Sequence, residues 1–331
     1  ESGTGSARSA QIATLETRNA KQYGVDPEAL MDRWRAEAAT VGFTPEHLND
    51  VVNRVDGPAV VDEESWERLF AMMAGPHGLT ALAATFTRSD VVASIASAAG
   101  ASLSAPEVCR LSNRFLGDTT RAVVVERVRG TRPGVQARYT TPEIRECETT
   151  LLAFAATPAD TTQVDQEVLG DVLASRPELS AEQVDMITEV CTAARVIQAV
   201  EGRPGAGKTY ATEAVVASHV TAGVPILGCA VSAAAAAELE SQAGFARSAM
   251  PATTIARLLI DVERHGLAPH SVIVVDDASM ASTRDLHRLA TAAVATGGRM
   301  ILIGDPDQHG AVEAGGVFAR LCAEPGHPTI R

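Results

Sequence analysis

The stretch that most constrains this chain is Arg195 to Tyr210, RVIQAVEGRPGAGKTY, an apolar run that breaks into a glycine-rich turn and ends in Lys208 and Thr209. Gly202, Gly207, Lys208 and Thr209 fit the G-x4-G-K-[ST] spacing, and Val196 to Val200 ahead of them reads as a strand. Glycine lets the backbone fold tightly enough for consecutive N–H groups to face a phosphate, while the helix that follows offers its positive N-terminus. Pro204, Gly205, Ala206 and Tyr210 fill out the same loop and its exit. Lys208 is then placed to reach the β- and γ-phosphates of a nucleotide, and Thr209 a magnesium ion.

Composition singles out this lysine. Of 28 basic residues only Lys21 and Lys208 are lysine, leaving 26 arginines. A chain that replaces lysine wherever it can has kept a flexible ammonium where a planar guanidinium is a poor substitute.

Downstream, strand and helix signals alternate as a doubly wound parallel sheet demands. Pro225 to Ala230 reads as a strand and Ala234 to Gln242 as a helix. Ser271 to Val275, SVIVV, is a continuous β-branched run ending in Asp276-Asp277, and Arg299 to Gly304, RMILIG, runs into Asp305-Pro-Asp-Gln308. An acid at the C-terminal end of a buried strand beside a phosphate loop is where magnesium is held, which assigns Asp276 to the metal and Asp277 to the attacking water. Gln308 can hydrogen-bond a γ-phosphate or that water.

Upstream, Ala10–Tyr23, Pro27–Val41 and Pro45–Val55 read as helices of a lead-in covering residues 1–60, with Trp34 and Trp66 as core anchors. Over residues 61–160, helices at Glu63–Ala74, Arg88–Ala99 and Ala105–Leu116 precede two β-rich runs, Arg121–Val128 and Val135–Thr140, joined by an arginine-bearing turn. That is the outline of a winged-helix-like module, used either to touch DNA phosphates, with Arg110, Arg114, Arg129, Arg132 and Arg138 as candidates, or only to pack against protein. Residues 161–178 read as a linker after a helix at Pro142–Ala155, and residues 179–331 as the nucleotide domain.

The net charge of -13 argues against a chain that coats itself with nucleic acid, although eight arginines between Arg110 and Arg145 leave room for a local groove. Five scattered cysteines read as thiols in a reducing compartment, and no membrane span or signal layout is present, which predicts a cytoplasmic protein. The start at ESGTGSARSA, without an initiator methionine, reads as a piece of something longer.

GRPGAGKT, VIVVDDASM and GDPDQ with the trailing AVEAGG resemble motifs I, II and III of RecD-like superfamily 1 DNA helicases, above all the helicase part of conjugative relaxase–helicases of the TraI/TrwC type. LSAEQ, ending at Gln183, resembles their Q motif, CAVSAAAAAELES their motif Ia, and PATTIARLL the adjoining DNA-contacting segment. The resemblance implies a RecA-like α/β P-loop domain, the first of two. ATP and Mg2+ would be bound, with Gln183 reading the adenine and Gly205 to Thr209 cradling the phosphates. Asp276, Asp277 and Gln308 would drive hydrolysis. Ser232, Thr253 and Thr254 would lie toward single-stranded DNA, and travel would run 5′ to 3′. It further implies a second RecA-like domain and a relaxase domain outside this sequence, hence little turnover from these residues alone. Three positions depart from the family: Asp277 where glutamate is usual, Val231 for a proline, and His309 for a leucine. The shorter Asp277 leaves two alternatives open beside a conjugative helicase: a RecD-type repair helicase, or a module that binds nucleotide and DNA without hydrolysis.

Overall fold

The computed structural model describes residues 26–44, 62–126, 136–159, 163–192, 195–245, 251–308, 310–311, 313–323 and 329–330. The chain divides into two compact units, residues 1–60 and 61–331. In the first, helix α1 (Pro27–Thr40) starts at Asp26, whose carboxylate accepts the Glu28 N–H at 3.1 Å. Trp34 is 52% exposed on it, against its expected role as a core anchor; acids and arginines surround it along the helix, which carries no continuous apolar face. The expected helices at 10–23 and 45–55 lie outside the described residues.

The second unit opens with α2 (Glu63–Ala74), β1 (Phe86–Thr87), α3 (Arg88–Ala99), α4 (Ala105–Gly117), β2 (Val123–Glu126) and β3 (Arg138–Thr140). The three strands form an antiparallel sheet in the order β1-β3-β2. Both helices after β1 begin in capping boxes, Thr87 with Asp90 and Ser104 with Glu107. Trp66, Phe70, Ile95 and Phe115 make the core, with Phe70 and Phe115 edge to face at 5.4 Å. The element order is helix–strand–helix–helix–strand–strand. Among the described residues β2 begins at Val123 and β3 at Arg138, each later than expected, and two-residue β1 was unread because so short a pairing leaves no periodicity. Arg129 and Arg132 lie outside the described residues.

Then follow α5 (Pro142–Ala156), α6 (Gln166–Ala174), α7 (Ala181–Thr192), β4 (Ile197–Gly202), α8 (Lys208–Thr221), β5 (Ile226–Ala230), α9 (Ala233–Gln242), β6 (Thr253–Thr254), α10 (Ile255–His265), β7 (Val272–Asp276), α11 (Thr283–Ala295), β8 (Arg299–Gly304), α12 (Val317–Cys322) and β9 (Thr329–Ile330). The six strands are parallel, in the order β6-β5-β7-β8-β4-β9. Both faces are covered, so the strands read as unbroken apolar runs. Ile273, Val275, Met300 and Leu302 face one helical layer, and Val272, Val274, Ile301 and Ile303 the other.

Two helices are reassigned by this packing. α5, expected to close the accessory module, puts Leu151 and Ala155 into the layer of α10, α11 and α12. α6, expected in a linker, buries Leu169 and Val172 against α7 and α8. A helix is drawn to whichever apolar surface is free, and the sheet needed cover on both faces.

Where the accessory module meets this layer, Arg284 at the start of α11 grips Glu143 through Nε and Nη2 (2.8 and 2.7 Å) and the Thr80 carbonyl through Nη1 (2.8 Å). Beside it, the Ala314 N–H donates to the Ala81 carbonyl at 3.2 Å and the Thr283 N–H to the Ala314 carbonyl at 2.8 Å.

Deep in the other layer, Arg299 is fully buried at the start of β8 and donates to the Val190 carbonyl. Its Nη2 lies 3.3 Å from His219 Nε2, while His219 Nδ1 lies 2.7 Å from the Val215 carbonyl. These partners suit a neutral imidazole that donates through Nδ1 and accepts through Nε2. Burial, aided by the Arg299 charge, lowers the His219 pKa to about 4.

Candidate nucleotide site

β4 ends at Gly202, and the turn from Arg203 to Gly207 delivers the chain into α8, whose first residue is Lys208. Gly205 and Gly207 have φ of +78° and +71°, a left-handed backbone that side chains with a Cβ avoid. Gly202 is needed for another reason: a Cβ there would stand 2.5 Å from Lys208 Cδ, because the lysine stem folds back over the strand end. A Cβ on Gly207 would likewise meet Gln183 Nε2 at 2.4 Å. Lys208 and Gln183 therefore pack so closely on the loop that neither Gly202 nor Gly207 could carry a side chain.

Gln183 sits on this loop from α7. Its Nε2 donates to the Ala206 carbonyl at 3.1 Å, and its Oε1 accepts the Ser180 N–H at 3.0 Å. The approach to α8 is braced by two contacts that sequence reasoning missed. Arg176 grips Glu213 through Nε and Nη2 (2.8 and 3.0 Å), and the Tyr210 hydroxyl donates to Glu178. Partners more than thirty residues apart leave no local signal.

Register brings the other candidates to the same edge. Glu201 pairs with Gly304 and Leu302 with Val275, so β4, β7 and β8 finish side by side, with β8 in the middle. Gly304 is tightly seated: a Cβ would lie 3.1 Å from the Ala278 and Ser279 nitrogens and from the Phe318 ring, which sets the β8 end against the turn after Asp277. Asp277 itself has φ of +48°, a strained conformation for a residue other than glycine.

Asp276 is mostly buried. Desolvation, and then the charge of Asp277, push its pKa up to about 6, while the Asp277 N–H, 3.0 Å from its Oδ1, and the Lys208 ammonium pull it back. Lys208 and Asp276 thus feel each other across the strand ends. The Thr209 hydroxyl and the Asp276 carboxylate are oxygen donors of the kind magnesium takes. Gln308 lies four residues beyond β8 in a turn held by the Asp305 carbonyl and carboxylate, its side chain exposed.

The expected DNA contacts lie on the same sheet edge but toward its other end. Thr253 and Thr254 pair with Cys229 and Ala230 at the tip of β5. Ser232 and Thr254 cap α9 and α10, accepting the Ala235 and Arg257 N–H groups at 3.1 and 3.2 Å. Two helix N-termini therefore face one edge. Among the described residues no helix is long and apolar enough to cross a membrane.

A parallel sheet with a glycine phosphate loop after one strand and paired acids after another defines a P-loop NTPase domain, and so a nucleotide-binding one. Comparison narrows the class. Residues 178–331 match the family described as AAA domain. The chain is 32% identical over 196 residues to a probable conjugal transfer protein TraA of Sinorhizobium fredii, an alignment covering 59% of this chain and 17% of that protein. It is 30% identical over 227 residues to conjugal transfer protein TraA of Agrobacterium fabrum (68% and 19%), and 32% over 163 residues to the ATP-dependent RecD2 DNA helicase of Deinococcus radiodurans (47% and 21%). The chain spans about a fifth of the length of these relatives. Residues 178–331 are accordingly a RecD-like, helicase-like P-loop domain, homologous to TraA and RecD2.

Proposed function

We propose that this chain is the nucleotide-driven part of a cytoplasmic DNA helicase acting in conjugative plasmid transfer, binding ATP-Mg2+ at the phosphate loop and single-stranded DNA along the same sheet edge. The observation that carries the reading is the register of β4, β8 and β7, which puts the loop, Gly304 and Asp276 in one row. Pro204 to Thr209 would enclose the phosphates, Lys208 would neutralise the β- and γ-oxygens, and Thr209 and Asp276 would hold the metal. Asp277 would take the proton of the attacking water, with Gln308 orienting it. Gln183 and Tyr210 border the place where the base would lie. Ser232, Thr253 and Thr254 have hydroxyls available for DNA phosphates.

By family resemblance travel is 5′ to 3′, and the parent protein supplies a second RecA-like domain and a relaxase. An arginine finger from that second domain is worth about 10³- to 10⁵-fold in comparable phosphoryl-transfer sites, so these 331 residues should bind ATP with slow turnover. A second reading, nucleotide-gated DNA binding without hydrolysis, is favoured by Asp277, which is short for the usual glutamate and strained.

Titration with a fluorescent ATP analogue and Mg2+, for the native chain and Lys208→Ala, tests the first step. The lysine variant should lose most of the affinity. Equal affinity in both would overturn the reading. DNA-stimulated hydrolysis by a chain extended through the next domain separates a motor from a gate.

A further inference from the structure

The arginines of the accessory module fall into two sets. Arg114 is shared by Glu63 and Glu67, and Arg121 by Glu67 and Asp118, so both are neutralised within the module. Arg88 and Arg138 are anchored differently, on neutral oxygens. Arg138 directs Nε and Nη2 to the Thr85 hydroxyl at 3.0 and 2.6 Å, and Arg88 directs the same two nitrogens to Asn113 Oδ1 at 3.3 and 3.2 Å. Each plane is thereby set, with no ion pair at either guanidinium among the described residues.

The two anchors belong to one seam. Thr87, the residue before Arg88, pairs with Arg138 across β1 and β3. Gln136 ties the strand to α3, accepting the Ser89 N–H at 3.2 Å and donating to the Ser89 hydroxyl at 2.7 Å. Among the described residues neither Arg88 nor Arg138 makes an ion pair with the acids nearby. Asp90 is held in the Thr87 cap, and Glu126, opposite Arg138 on β2, makes no ion pair with it among the described residues.

We propose that Arg88 and Arg138 form a DNA-contacting seam that grips the phosphodiester backbone, with Ser89, Asn113 and Gln136 fixing its geometry; the choice of DNA rests on the helicase reading above. Fixed guanidiniums among hydroxyls and amides are what backbone phosphates are bound by, without sequence readout. The position also has a consequence for the motor. The segments that carry the seam continue to Thr80 and Ala81 on one side and to Glu143 on the other, the groups that hold Arg284 and the Ala314 loop beyond Gln308. The segments that carry the seam thus lead directly into the contacts with Arg284 and Ala314.

The test is fluorescence anisotropy of a labelled single strand and of its duplex against salt, using the 331-residue chain. Replacing both arginines (Arg88→Gln with Arg138→Gln) removes two phosphate contacts. Affinity at 0.1 M salt should fall roughly 25- to 60-fold, and the log–log salt slope should drop by about 1.4 on single strands or about 1.8 on duplex. The form that shows the loss is the form bound. The pair Arg88→Lys with Arg138→Lys keeps the charges and should keep the slope. Unchanged affinity and slope in the Gln pair overturns the seam, as does equal loss in the Lys pair, which would make the anchors structural. Should the Gln pair melt early, each single substitution is read instead, with half the slope change expected. A native chain that binds ATP but no DNA sinks the seam and spares the nucleotide reading. Seam-dependent DNA binding without ATP binding sinks the helicase reading alone.

Discussion

Arg284→Ala should loosen the accessory module from the sheet. The Arg284 side chain is 15% exposed and its guanidinium makes four directed contacts: two to Glu143, one to the Thr80 carbonyl, and one to the Thr80 hydroxyl at 2.9 Å. Breaking a buried pair costs about 3–5 kcal/mol, but Glu143 is 43% exposed, so water takes over part of its solvation and the ionic share drops to roughly 2 kcal/mol. Leaving the Thr80 carbonyl without its donor adds about 1 kcal/mol. The expected loss is about 3 kcal/mol, or some 6–10 °C in melting temperature for a unit of this size. Urea unfolding with a double-mutant cycle through Glu143→Ala measures it, and the coupling between the two residues should exceed about 1 kcal/mol. A loss below 1 kcal/mol, or additive effects, would refute the claim that Arg284 clamps α5 and the Thr80 segment of the accessory module to the start of α11. A melt that separates into two transitions would support it further.

Three further outcomes are expected. Gly207→Ala forces a side chain into a left-handed turn and against Gln183 Nε2, 2.4 Å from the new Cβ; ATP-analogue affinity should fall at least tenfold, and an unchanged affinity would mean the loop is not the phosphate cradle. Asp277→Gly relieves a strained backbone, so chemical denaturation should find stability within about 1 kcal/mol of native while hydrolysis in an extended, DNA-stimulated chain collapses; retained turnover would remove Asp277 from the chemistry. His219 has its pKa lowered from 6.5 to about 4, so the unfolded chain binds the extra proton between those values and stability falls as pH drops through that window, by on the order of 3 kcal/mol in all. His219→Gln should flatten this part of the stability curve measured by urea titration, and an equally steep curve would assign the slope to other groups.

Much of the backbone that carries the candidate site could be read from residue order. The β4–loop–α8 unit follows from the glycine spacing, since few other folds use a left-handed Gly207 directly before a lysine and a threonine. Asp276 and Gln308 were placed because a strand buried on both faces announces itself as a continuous apolar run, and whatever follows it lies at the sheet edge.

What depended on distance in the chain was not legible. Composition treated all arginines alike, yet folding paired Arg114 and Arg121 with acids, left Arg88 and Arg138 charged on neutral anchors, buried Arg299 entirely and gave Arg284 to Glu143, 141 residues away. The fate of α5 and α6 was decided the same way, by which apolar surface was left uncovered once the sheet formed. Local spacing dictates backbone conformation, because sterics act between neighbours; the partner of a side chain is chosen by packing, which only the assembled fold contains.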